Sequence, residues 1–96
     1  KTQRIANEKR AYTLTDRGTW LATRDKDKLE MEIVLEGDPI LFNQYGVMAV
    51  NPAKFKHVKY KEAKEFIDWL ISKEGQQVIG SYKDKNGNAL FIPNAK

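Results

Sequence analysis

A chain of 96 residues holds one domain or part of one, and none of its apolar runs approaches the roughly 20 residues that span a bilayer. Hydrophobic residues are 41% and charged residues 31%, a globular balance rather than a disordered one, and the absence of cysteine excludes disulfides, thiolate metal sites and cysteine nucleophiles. The formal charge of +4 admits an anionic partner, although charge bears first on solubility, and the lysines form no single dense run. The opening Lys1-Thr2-Gln3-Arg4 has no apolar stretch behind it of the kind a secretion signal carries. The expectation is either a cytoplasmic protein or a chain that begins inside a longer mature one.

Residues 1–10 are polar and read as the end of a helix. Ala11-Tyr12-Thr13-Leu14 alternates like a strand, and Thr15-Asp16 then reads as a helix start, a hydroxyl cap followed by an acid. Trp20 and Leu21 give that short helix an apolar face, which fades by Thr23, and Arg24–Lys28 is a charged loop. Leu29–Leu35 alternates Met31, Ile33 and Leu35 with Glu30, Glu32 and Val34, the pattern of a half-buried strand. Glu36-Gly37-Asp38-Pro39 ends it in a turn, and Ile40, Leu41 and Phe42 form a short apolar patch. Tyr45–Val50 is almost wholly apolar and is closed by Asn51-Pro52, which predicts a strand buried on both faces.

The clearest element runs from Tyr60 to Ser72. Ala63, Phe66, Ile67, Leu70 and Ile71 make one helical stripe, expected to be buried against a sheet, with Lys61, Glu62, Lys64, Glu65 and Asp68 opposite. Ser72 caps a second helix to Tyr82, whose first turn Gly75 weakens. Lys83–Asn88 is a polar loop with an Asn86-Gly87 turn, and Ala89–Pro93 is an extended apolar ending.

Little here supports catalysis. His57 is the single histidine, so neither a triad nor a zinc site can be assembled around it, and it reads as a surface residue. No pair of carboxylates sits in an apolar context, and there is no phosphate-binding glycine loop. No catalytic residue, metal site or cofactor is expected. A small basic nucleic-acid-binding module, stacking bases on Tyr12, Trp20, Tyr45, Tyr60, Trp69 and Tyr82, is the alternative. It lacks a basic stripe, and the helical spacing assigns Trp20 and Trp69 to the core. A ligand-sensing domain without transport is a further class.

Tyr12–Thr19 gathers Tyr12, Thr13, Thr15, Arg17 and Thr19 at a predicted strand-to-helix junction. Hydroxyls, a guanidinium and free helix N–H groups suit a small tetrahedral anion. The same residues also make an ordinary helix cap with a surface arginine, and Arg17 is as able to pair locally as to meet a ligand.

Several strings resemble the periplasmic tungstate-binding proteins of ABC importers. They are Ala6-Asn7-Glu8-Lys9 with Ala11–Trp20, Glu36-Gly37-Asp38, Leu41-Phe42-Asn43 with Tyr45-Gly46-Val47, and Asn51-Pro52. Phe66–Leu70 with Glu74-Gly75-Gln76, and Leu90-Phe91-Ile92-Pro93, continue the match in the same order, although the helix and its Glu-Gly-Gln follower recur across many solute-binding proteins. The resemblance implies an α/β fold, a mixed sheet with flanking helices. The chain would be a single partial domain, residues 1–96, from the C-terminal part of a two-lobed type II periplasmic binding protein. A hinge-crossing segment is expected near 36–52 and closing helices at 60–82. It implies binding of tungstate or molybdate for a membrane permease, with membrane contact only through that permease and no nucleic acid. The setting would be the periplasm, or the outer face of a cell without an outer membrane, held by a lipid anchor. Thr13, Thr15, Arg17 and Tyr12 are the expected ligand-binding residues. The family's hydroxyl-rich first binding loop and main anion-facing arginine motif are implied to lie N-terminal to them.

Overall fold

Four α-helices and one short 3₁₀ turn are the regular elements of the computed structural model, which describes residues 1–95. The chain divides between Gln44 and Tyr45 into two compact units.

The first unit opens with α1, Thr2–Lys9, where the sequence predicts a helix end. It stops at Arg10, whose left-handed backbone (φ 52°, ψ 47°) turns the chain so that Ala11 N–H donates to Ala6 O at 2.9 Å. The helix α2, Arg17–Thr23, ends where predicted, but its cap is Asp16 rather than Thr15: the Asp16 carboxylate accepts from Thr19 N–H at 3.2 Å. Ala6, Trp20 and Gln3 are the buried residues of this unit. Side-chain hydrogen bonds tie α1 to the rest of the unit. Arg4 grips Asp27 through two hydrogen bonds of 2.8 Å, and Asn7 Oδ1 accepts from Glu30 N–H at 2.8 Å. Asp38 caps the 3₁₀ turn Pro39–Leu41 after Gly37 has supplied a φ of 79°.

In the second unit Asn51 starts a series of turns, accepting from Ala53 N–H through Oδ1 and from Phe55 N–H through its carbonyl. The predicted helices come next as α3, Tyr60–Ile71, and α4, Lys73–Ser81, with Ser72 Oγ accepting from Gly75 N–H at 3.1 Å as the capping reading requires. Gly75 does more than weaken a turn. It is buried, and a Cβ there would lie 2.0 Å from Trp69 O and 2.8 Å from Leu70 O, so a glycine is what lets α4 fold back on the end of α3. Gln76 reinforces the corner, donating to Leu70 O at 2.8 Å and accepting from Ala95 N–H at 3.0 Å. Asp84 organises the Asn86-Gly87 turn, and Lys83 and Ala89 pair across it in an isolated antiparallel bridge. Phe91 meets the rings of Tyr45 and Tyr82, and Pro93 lies against Gly80.

The mixed sheet implied by the resemblance does not form among the described residues. Among the described residues there is no strand: Ala11–Leu14, Leu29–Leu35 and Tyr45–Val50 run without one. Among those residues no backbone hydrogen bond holds 31–37 or 46–50, and Val34, Leu35 and Met48 are exposed. Alternation gives a segment a face to bury, but a strand exists only when a second one satisfies its N–H and C=O groups. The helix stripe fails for the same reason. Phe66 and Ile71 are exposed, Ile67 and Leu70 half-buried, and Trp69 stacks on Phe66 at the surface, because no sheet among the described residues covers α3.

Candidate functional site

The segment 12–19 enters α2 from an irregular stretch, so its side chains are placed by what the neighbouring residues offer them. Tyr12 is 88% exposed and has no hydrogen bond among the described residues. Thr13 is half-buried, and its hydroxyl makes only a long 3.4 Å contact with Leu14 O. Thr15 Oγ1 accepts from Gln3 Nε2 at 2.9 Å and lies 3.4 Å from Asp16 O. Arg17 pairs through Nη2 with the Glu36 carboxylate, 19 positions along the chain. The hydroxyls and the guanidinium are thus all in the first unit and near one another in sequence, with Thr15 engaged by Gln3 and Arg17 by Glu36.

Two carboxylates of the chain already answer the anion-attracting groups. Asp16 takes the Thr19 N–H at the start of α2, and the hydrogen bonds from Thr19 hold its carboxyl below the usual carboxylate range. Glu36 takes Arg17. Both members of that pair are half-exposed, with side-chain accessibilities of 51% and 58%, and exposed pairs are worth about 0–1 kcal/mol. An incoming dianion could therefore exchange with Glu36 at small cost, whereas the Asp16 cap is part of the helix.

Sequence reading missed Gln3. A glutamine on a short polar helix reads as solvent-facing, yet Gln3 is 7% exposed. It links Thr15, through Nε2, to Thr23, whose Oγ1 lies 3.0 Å from Gln3 Oε1 and 2.6 Å from Thr19 O. The one available signal was its spacing, three positions before the buried Ala6 and so on the same helix face.

Among the described residues no group of histidines and carboxylates could hold a metal ion. His57 is exposed and meets Phe55 edge-on, with ring centroids 6.4 Å apart. The second unit carries an open groove of about 830 Å³ lined by Lys73, Gln76, Gln77, Ser81 and Lys83 among others; none of the four predicted site residues lines it.

The sequence matches the PBP superfamily domain over residues 1–74. It is 46% identical over 93 residues to the tungstate-binding protein TupA of Peptoclostridium acidaminophilum, covering 96% of this chain and 32% of the relative. It is 50% identical over 93 residues to a putative ABC transporter anion-binding protein of Haloferax volcanii, covering 94% of this chain and 27% of that protein. Among solved structures, the tungstate-binding protein TupA from Desulfovibrio alaskensis G20 matches with a TM-score of 0.80 and 43% identity, over 97% of this chain and 38% of the other. The chain therefore spans about a third of the length of the relatives it matches. With a family match over most of its residues, the chain belongs to the PBP superfamily.

Proposed function

We propose that these residues are the C-terminal third of a two-lobed type II periplasmic binding protein that captures tungstate or molybdate for an ABC importer. The observation that carries this reading is the likeness, over almost the whole chain, to proteins named for tungstate or anion binding. The site chemistry agrees with it. A tetrahedral dianion needs several directed donors, because burying its charge unpaired is prohibitive. Thr13 and Thr15 offer hydroxyls, and Arg17 offers a guanidinium held only by an exchangeable surface pair. Tyr12 would line the cleft. The strand-like but unpaired stretches are what a piece of a larger mixed sheet leaves exposed, and the division between Gln44 and Tyr45 falls inside the hinge-crossing segment expected near 36–52.

On this reading the protein binds and hands over its ligand without chemistry, in the periplasm or at a lipid-anchored outer surface, and its macromolecular partner is the importer's permease. Since these residues span about a third of the relatives' length, the rest of the site would lie outside them, and on this reading the 96 residues alone bind the anion weakly. Calorimetric titration of the full-length protein with tungstate, molybdate and sulfate tests the proposal. Saturable one-to-one binding of tungstate or molybdate is expected. Absence of heat with all three, or retention of DNA with a steep salt dependence at physiological ionic strength, would replace it with another class.

A further inference from the structure

The Thr15 hydroxyl has one proton to give and two lone pairs to fill. Gln3 Nε2 fills one of those pairs at 2.9 Å, which commits the oxygen as an acceptor toward the protein interior. The proton is then left with Asp16 O at 3.4 Å, too long for a good hydrogen bond. Gln3 is buried, so both ends of its amide need partners, and its other end faces Thr23 Oγ1 at 3.0 Å. The three groups form one chain of contacts: when Thr23 O–H donates to Gln3 Oε1, Gln3 N–H donates to Thr15, and the Thr15 proton keeps only its long contact with Asp16 O. Hydrogen bonds aligned this way strengthen one another.

We propose that Gln3 is the positioning residue of the oxyanion site. By donating to Thr15 it prevents that hydroxyl from turning inward as a donor and presents its proton to the ligand. This rests on the reading that the segment containing Thr15 takes an oxyanion. Thr23 sets the direction. Its single proton has two acceptors in reach, Gln3 Oε1 and Thr19 O at 2.6 Å. When Thr23 donates to Gln3, the amide nitrogen faces Thr15. If Thr23 gave its proton to Thr19 instead, the amide would be satisfied by turning over, and Gln3 would then consume the Thr15 proton that the anion needs.

The test is a double-mutant cycle in the full-length protein, read by calorimetric titration with tungstate. Gln3→Met removes the amide at similar volume, and Gln3→Glu keeps an acceptor but loses the donor while ionised. Each is made with Thr15 intact and with Thr15→Val. With Thr15 intact, Gln3→Met is expected to weaken tungstate binding about tenfold, the scale of one hydrogen bond to a charged group. With Thr15→Val, the same change is expected to cost less than about twofold. Gln3→Glu adds a charge that repels the anion in both backgrounds, so only its excess loss with Thr15 intact counts, and such an excess is expected. Equal losses in both backgrounds, or none, would make Gln3 a packing residue and overturn the inference while leaving Thr15 in the site. An unchanged affinity on Thr15→Val alone gives a different pattern: it removes the segment from the site, and the inference falls with it. Should Gln3→Met not fold, the Gln3→Glu arm decides.

Discussion

The two units solve the same problem, holding short helices together, with different emphasis. In residues 1–44 the helices are joined by side chains reaching across: Gln3 to Thr15 and Thr23, Arg4 to Asp27, Asn7 to the backbone of Glu30. The ion pairs among the described residues, Arg4–Asp27, Arg17–Glu36 and Arg24–Asp25, all belong to this unit. In residues 45–95 the joint rests first on shape: α4 turns back on α3 at a glycine in backbone contact, with one side-chain link from Gln76 to Leu70 O, and the aromatic ring pairs of the described residues all lie there. Polar links of the first kind can be re-dealt when a ligand arrives. A backbone corner of the second kind cannot, and on the proposed function the exchangeable pair Arg17–Glu36 belongs to the first unit.

The largest expected effect challenges that contrast. Trp20, 8% exposed, is the one large apolar side chain buried in the first unit. Trp20→Ala should cost about 3–5 kcal/mol in urea denaturation of the full-length protein. A loss below about 1 kcal/mol would mean that the polar links hold the unit unaided. Next is Gly75→Ala. Helix propensity alone would make it stabilising by nearly 1 kcal/mol, but a Cβ 2.0 Å from Trp69 O forces the corner open. The expected result is destabilisation by about 3 kcal/mol, and the sign alone decides. Arg10→Gly should do the reverse, stabilising by about 1 kcal/mol, because Arg10 holds a left-handed backbone that a glycine adopts freely.

The smallest effect is in acid. The hydrogen bond from Arg4 holds the Asp27 carboxyl below the usual range, as Thr19 does that of Asp16. A lowered carboxyl contributes stability above its ordinary value near 4, and that stability is lost as pH falls through the lower folded-state value. Arg4→Ala should therefore make the acid loss of stability shallower. Identical acid profiles for the parent and Arg4→Ala would remove Asp27 from the account.

The helices were legible because their signals are local. The 3.6-residue stripe of Ala63, Phe66, Ile67 and Leu70, and the cap at Ser72, need nothing beyond their own turn of chain. At α2 the start was misplaced by one residue, since Thr15 and Asp16 are both good caps and only Asp16 reaches the Thr19 N–H. The strands were legible as a preference and not as structure: Met31, Ile33 and Leu35 alternate, but pairing is a property of two segments. The candidate site divides the same way. Its donors could be read off Tyr12–Thr19, but not the partners that govern them, because Glu36 lies 19 positions from Arg17 and Gln3 lies 12 from Thr15. Gly75 shows the same limit, since a close backbone approach leaves no trace in propensity.

Titrating tungstate into the full-length protein carrying Thr15→Ala, and separately Arg17→Ala, tests the central claim most directly. The account predicts a tight site in the parent and an affinity reduced by about tenfold or more in each variant, with the fold retained. Undiminished affinity in both would leave Tyr12–Thr19 as a helix entrance alone and put the oxyanion contacts elsewhere.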